Sequence, residues 1–468
     1  MNDDRFFDSD PVVRRVARAL HEQTRILPII SPHGHVEASV LAGNEAFPEP
    51  TALILIPDHY LLRMLYSQGI GLERLGVPTH DGGRLETDPR RAWQLFGEHY
   101  YLFRGTPSAI WLDYELHELF GVRVKLNGVT AQHVYDEVSE KLASPEFRPR
   151  ALYERFNIEV LSTTDTAADP LTSHATLRAS AWGGRVIPTF RPDALFQIAS
   201  PGWNAHLSAF AAVVKTPIGD YRAFIQALER RRADFRALGA TATDHAVEEP
   251  YTERLPDEEA ERLFQRALQM TASAADQRRF EAHMLMEMAR MSTEDGLVMQ
   301  LHSGALRNHD LDLFLRFGPN VGGDIPIASE YTRNLRNLLN TYGHDPRLRL
   351  ILFTLDESTY ARELAPLAGL YGAVRLGPPW WFHDSVEGMT RFRQQTTETA
   401  GIYNTAGFND DTRSFTSIPA RHDLSRRVDA NWLARLVSRH VIDVEDARAM
   451  AHALAYGLAK DAYRLGGA

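Results

Sequence analysis

Short apolar runs rich in β-branched residues recur along the chain. Between them lie longer stretches whose apolar positions repeat every three to four residues, the rhythm of parallel strands alternating with helices. Eight such runs predict strands at 27–31, 158–164, 185–190, 238–243, 297–302, 348–355, 373–376 and 402–408. Eight parallel strands can close into a (β/α)8 barrel, whose reactive end is the one where the strands finish. The spacing is uneven, so insertions must fill the long gaps. Segment 37–155 carries helical patterns at 60–68, 91–102 and 130–142 and predicts a helical subdomain over the catalytic face, able to act as a lid. Segments 192–237 and 247–295 predict further helical insertions, the second with two charged helices within 257–291, and 443–468 predicts a closing helix. The expected class is α/β, one barrel-type unit over 1–468 with three insertions.

Composition narrows the chemistry. Apolar residues make up 44% and charged residues 24% of the 468, the balance of a folded globular chain, and no apolar run approaches the roughly 20 residues that span a bilayer. The first ten residues are acidic and carry no basic start or apolar stretch, so a cytoplasmic location is expected. With no cysteine, disulfides, thiolate nucleophiles and zinc–thiolate sites are excluded, and any metal must sit on His, Asp or Glu. A net charge of −10 argues against nucleic-acid binding and leaves the capture of an anionic ligand to local arginines. Only Lys125, Lys141, Lys215 and Lys460 represent lysine, none at a predicted strand end, which disfavours Schiff-base chemistry.

Two constellations carry candidate chemistry. In Pro28-Ile29-Ile30-Ser31-Pro32-His33-Gly34-His35 an apolar strand runs into His-x-His, and residues two apart on an extended segment share a face, so His33 and His35 can converge on one cation. Such a pair could equally be loop histidine. After the eighth run, Gly407-Phe408-Asn409-Asp410-Asp411-Thr412-Arg413-Ser414-Phe415 supplies an aspartate that can face the histidines across the barrel mouth, with Arg413 in the same space. The plainer reading there is a helix-capping Asp and a surface ion pair.

Together with Leu161-Ser162-Thr163-Thr164-Asp165, Pro188-Thr189-Phe190-Arg191-Pro192-Asp193, Gln300-Leu301-His302-Ser303-Gly304-Ala305-Leu306-Arg307-Asn308 and Trp380-Trp381-Phe382, these motifs give the whole chain a resemblance to the uronate isomerases of the amidohydrolase superfamily. That resemblance implies a distorted (β/α)8 barrel and one divalent metal, zinc, on His33, His35 and Asp411. It also implies aldose–ketose isomerisation of D-glucuronate and D-galacturonate through an enediol, with Tyr60 as a proton carrier beside His59 and Asp411 available as a base for ring opening. A homo-oligomer is expected by analogy. Arg413 and the metal are candidates to stabilise the enediolate. Arg191 and Arg307, after the third and fifth strands, are candidates for the substrate carboxylate, a planar target that suits a guanidinium fork. His302 at the end of the fifth strand could bind metal or water, or be a satisfied core histidine, and His245 after the fourth carries the same choice. Trp380 and Trp381 could wall the sugar or fill the core.

Two other readings stay open. A mononuclear metal-dependent hydrolase or lactonase acting on a sugar acid would use the same ligands. Its two-metal version is disfavoured, because 238–246 contains no lysine to bridge the ions. A barrel that binds a small hexuronate without turnover is the other.

Overall fold

The computed structural model describes residues 1–466. Its strands are β1 (Ile29–Ser31), β2 (Ile158–Ser162), β3 (Asp165–Thr166), β4 (Val186–Ile187), β5 (Phe190–Arg191), β6 (Ala242–Val247), β7 (Val298–Ser303), β8 (Ala305–Leu306), β9 (Ile325–Pro326), β10 (Leu350–Thr354) and β11 (Val374–Leu376). Apart from the antiparallel hairpin β8/β9, every pairing is parallel. One sheet runs β1-β2-β4 and the other β11-β10-β7-β6-β5-β3. The sheets meet because β3 prolongs β2 and β5 prolongs β4. Pro188, which has no N–H to give a ladder, stands at the second break. Beyond β11 the order continues as a single parallel bridge from Leu376 to Thr405. The amide of His35, just past β1, donates to the carbonyl of Thr412 at 2.8 Å, so the segments after the first and last pairings lie side by side.

Strands buried on both faces explain the near-continuous apolar runs. Ile30, Val160, Ile187, Ala242, Val298 and Ile351 share one cluster with Ala459, Ala462 and Tyr463 of the C-terminal segment. Their neighbours Met299, Leu301, Leu350, Leu352 and Val374 face the other way, into the cluster built by the surrounding helices. The helices of the 37–155 segment pack around Leu62, Leu65, Trp93, Phe96 and Val134, in a core that also takes in Ile29, Ile158 and Leu161. That segment therefore shares its core with the strands.

Three expectations are corrected. The strand expected at 238–243 lies four residues later, because Leu238 closes the helix Tyr221–Ala237 and β6 starts at Ala242. The strand expected at 402–408 is reduced to the bridge at Thr405, preceded by a 3₁₀ turn at Ile402–Asn404. The closing helix over 443–468 is split into Val444–His452, a π turn Ala453–Gly457 and Leu458–Ala462, and its last two positions lie outside the described residues. The helix Ile418–Ser438, unforeseen from sequence, buries Arg421, His422, Arg426, Arg427 and Asp429. It thus shows no apolar stripe to read.

Candidate active site

A cavity of about 530 Å³ opens at the C-terminal ends of the parallel strands, and every residue expected to carry chemistry lines it, His245 excepted. β1 delivers His33 and His35, whose rings meet edge-on with centroids 5.3 Å apart. Their Nε2 atoms lie 3.2 and 3.1 Å from Oδ1 of Asp411. That oxygen is buried and makes no hydrogen bond. All three donor atoms lie within 4.8 Å of one another. Converging lone pairs that do not satisfy one another fit a divalent cation. The choice between the adjacent aspartates is thereby resolved geometrically: Asp411 faces the histidines, whereas Asp410 turns away to accept from His422 Nε2 at 3.1 Å.

Asp411 holds φ at +41°, in the left-handed region that non-glycine residues seldom enter. Its neighbours fix it there. The guanidinium of Arg421 donates to the Asp410 carbonyl at 3.1 Å and to the Asp384 carboxylate at 2.8 Å, while His35 N–H grips the carbonyl of Thr412. Although burial pushes its carboxyl upward, the two imidazoles hold Asp411 well below the usual carboxylate range, so it stays ionised. Burial drives His35 down to about 4, which leaves a neutral imidazole, the form that ligates metal.

Three arginines line the same cavity as this group. Arg191 from β5 gives Nε to Asp193 at 2.8 Å and sets Nη1 3.5 Å from Asp244. Arg307, after β8, pairs with Asp324 at 2.8 Å and lies over the Trp381 ring at 5.0 Å. Among the described residues Arg413 donates a side-chain hydrogen bond only to Asn320 Oδ1, at 2.9 Å, and has no carboxylate in ion-pairing range. Burial, and then the neighbouring Arg307 and Arg191, depress Arg413 against the pull of Asp411. The three arginines thus stand beside five acidic residues in the cavity lining, so an anion is met there by local guanidiniums rather than by a net positive wall.

His59 and Tyr60 open the helix His59–Tyr66 and stack at 4.4 Å, with His59 edge-on to Trp381 at 5.5 Å. The Asp58 carboxylate caps that helix through the amides of Tyr60 and Leu61, which fixes where the pair points. Burial and the nearby Arg413 push His59 down to about 3, and burial raises Tyr60 far above its ordinary value. Both are neutral near pH 7, Tyr60 with a proton to give. His302, ending β7, stacks between His33 at 4.6 Å and Phe353 at 3.9 Å, donates Nδ1–H to Asp244 at 2.7 Å, and leaves Nε2 without a partner. Trp380 packs on His302 at 4.8 Å, so both tryptophans wall the cavity.

His245 lies within β6 and points to the opposite face, stacked on Phe196 and bonded to Thr243 Oγ1 at 3.0 Å. The alternation of side chains along a strand that turns it away turns Asp244 inward. Asp244 went unnoticed in the sequence, although that alternation was the available signal. With His33 and His302 it forms a second group of possible ligands. Asn320 carried no signal, since loop packing alone brings it here, and Arg421 carried none because it sits on the helix Ile418–Ser438, which has no apolar stripe to read.

The family model for "Glucuronate isomerase" matches residues 4–463. A curated relative named uronate isomerase, from Nostoc punctiforme, is 54% identical over 466 residues, covering 99% of this chain and 98% of that protein. The crystal structure of a glucuronate isomerase from Caulobacter crescentus superposes with a TM-score of 0.98 at 48% identity, covering 100% of this chain and 98% of that one. A uronate isomerase from Thermotoga maritima does so at 0.92 and 26% identity, with 99% of each chain covered.

Proposed function

The chain belongs to the glucuronate isomerase family, and from that premise we propose how its own residues perform uronate isomerisation. It is an enzyme interconverting an aldose and a ketose. The substrates are D-glucuronate and D-galacturonate, and the products D-fructuronate and D-tagaturonate. The reading rests chiefly on one observation: Nε2 of His33 and His35 and Oδ1 of Asp411 cluster in the same cavity as Arg413, which among the described residues has no carboxylate in ion-pairing range.

His33, His35 and Asp411 hold one divalent cation, which we take to be zinc. When bound, that ion supplies Lewis-acid polarisation of a substrate oxygen. Arg413 aims its guanidinium at the oxygens where enediolate charge develops, a contribution of about 2.7–4 kcal/mol for one well-placed donor. Arg307, at the rim with donors left over after Asp324, meets the substrate carboxylate. Arg191 already serves two aspartates and supports that contact mainly through its charge. Tyr60 carries a proton to and from the substrate while His59 packs on its ring and orients it. Asp411, kept ionised, takes the proton that opens the sugar ring. His302 orients polar groups of the substrate or bound water, and Trp380 and Trp381 exclude solvent from the enediol.

The same reading carries a finer architecture. The parallel order from β1 to Thr405, with the His35–Thr412 hydrogen bond joining its ends, supports a closed, distorted (β/α)8 barrel bearing helical insertions at 37–155, 192–237 and 247–295. Among the described residues no helix is long and apolar enough to cross a membrane. A cytoplasmic location and a homo-oligomeric assembly complete the proposal, the latter checked by light scattering. The catalytic assignment is tested by incubating the purified protein with D-glucuronate in heavy water and following the C2 proton by NMR. Loss of that signal with appearance of the 2-ketose is expected, and silence from active-site-intact, metal-replete protein refutes it.

A further inference from the structure

A second cavity, of about 550 Å³, lies at the other end of the strands, against Leu27 and Ile29 where β1 is entered and Asn157 just before β2. It shares no lining residue with the active-site cavity. Five arginines line it against three acidic residues, a surplus of two positive charges on a chain of net charge −10.

The ion pairs do not absorb that surplus. Asp423 is shared by Arg5 at 2.5 Å, Arg427 at 2.9 Å and His21 at 3.3 Å. Arg25 turns to Glu22. Arg426 is only 7% exposed and has no carboxylate partner among the described residues. Its guanidinium donates to the carbonyls of Arg25, Leu27 and Pro28, and its Nε is buried without any partner. Arg155, at the exposed edge, reaches only the Leu119 carbonyl and the face of Phe147. Carbonyl dipoles do not neutralise a buried cation as a counter-charge does, so a guanidinium held this way is costly unless an anion completes it. Burial accordingly pulls Arg426 down to about 10.

We propose that this cavity is an anion site for a dianionic phosphate group, free or on a small phosphorylated metabolite, gripped between Arg426 at its floor and Arg155 at its mouth. Two uncompensated guanidinium forks match the two charges of phosphate near pH 7 and its several acceptor oxygens. The cavity exceeds what an inorganic ion fills, which leaves room for an attached small molecule.

The test is calorimetric titration of the whole enzyme with inorganic phosphate, and in parallel with glucose 6-phosphate, in four forms: unaltered, Arg413→Met, Arg155→Glu and Arg426→Met. One anion per chain is expected, with affinity kept within about twofold in Arg413→Met and lowered at least tenfold in Arg155→Glu and Arg426→Met. Tighter binding of the sugar phosphate identifies a phosphorylated metabolite as the occupant, and equal binding identifies the free ion. If Arg426→Met does not fold, Arg155→Glu at the surface still decides. Absence of saturable binding, or an affinity that follows Arg413 and ignores Arg155, overturns the proposal.

Discussion

Glu115 offers a measurement in which burial is converted into stability. Its carboxylate is 3% exposed in the π turn Glu115–Leu119, and Thr416 Oγ1 donates to it at 2.6 Å. Burial raises it from 4.5 to about 7, with the nearby Asp58 adding to the rise and the Thr416 hydroxyl and Arg421 opposing it. A carboxyl whose folded value exceeds its unfolded one binds more protons when folded, so its contribution is full below about pH 4.5 and lost as pH climbs towards and past 7. At about 1.4 kcal/mol per tenfold in proton affinity, the loss between pH 5 and pH 8 is on the order of 2–3 kcal/mol. Glu115→Gln keeps the shape and can still accept from Thr416, but it cannot ionise. For a chain of 468 residues the unfolding entropy is roughly 1 kcal/mol per degree, so the gain in melting temperature of the variant over the parent should widen by about 2–3 °C across that range. Parallel thermal melts of both proteins at pH 5, 6, 7 and 8 measure it. A constant gap, or a Gln variant less stable than the parent at pH 8, refutes the reasoning.

Arg413→Met should lower kcat by about 10²–10³-fold with metal content by elemental analysis unchanged, since it removes charge stabilisation and no ligand. Tyr60→Phe should cost about 10²–10⁴-fold in isomerisation, read as slowed exchange of the substrate C2 proton, while the far-ultraviolet spectrum stays that of the parent. His33→Asn should abolish tight retention of the divalent ion on dialysis, and an unchanged one-to-one stoichiometry would dismiss the ligand assignment. Arg421→Met leaves Asp384 buried without its guanidinium partner and takes the donor from the Asp410 carbonyl. A stability loss of about 3–5 kcal/mol in urea denaturation is expected.

Most of the strand order was legible in advance, because strands buried on both faces are written as near-continuous apolar runs, as at 297–302 and 348–355, where only Gln300, His302, Arg349 and Thr354 interrupt. Where the run was short or punctuated, local pattern misled. Ala240 and Ala242 look alike in sequence, and only the packing of Phe235 and Leu238 at the end of the preceding helix decides that pairing begins at the second. The helix Ile418–Ser438 escaped notice for the opposite reason: its arginines and His422 are buried against partners distant in the chain, which erases the amphipathic signature.

By itself the sequence determined which chemistry was available: no thiolate, scarce lysine, two histidines on one face of an extended segment, and arginine as the cation for an anionic substrate. What only the tertiary structure decided was which charges remain free. Arg191, Arg307 and Arg413 are indistinguishable as letters, yet two are paired with aspartates and the third, among the described residues, is not. Likewise Asp410 and Asp411 are neighbours, and one is turned by Arg421 and His422 so that the other meets His33 and His35. Charge pairing falls off with distance in space and takes no account of separation along the chain, so it is settled only when the fold has brought the partners together.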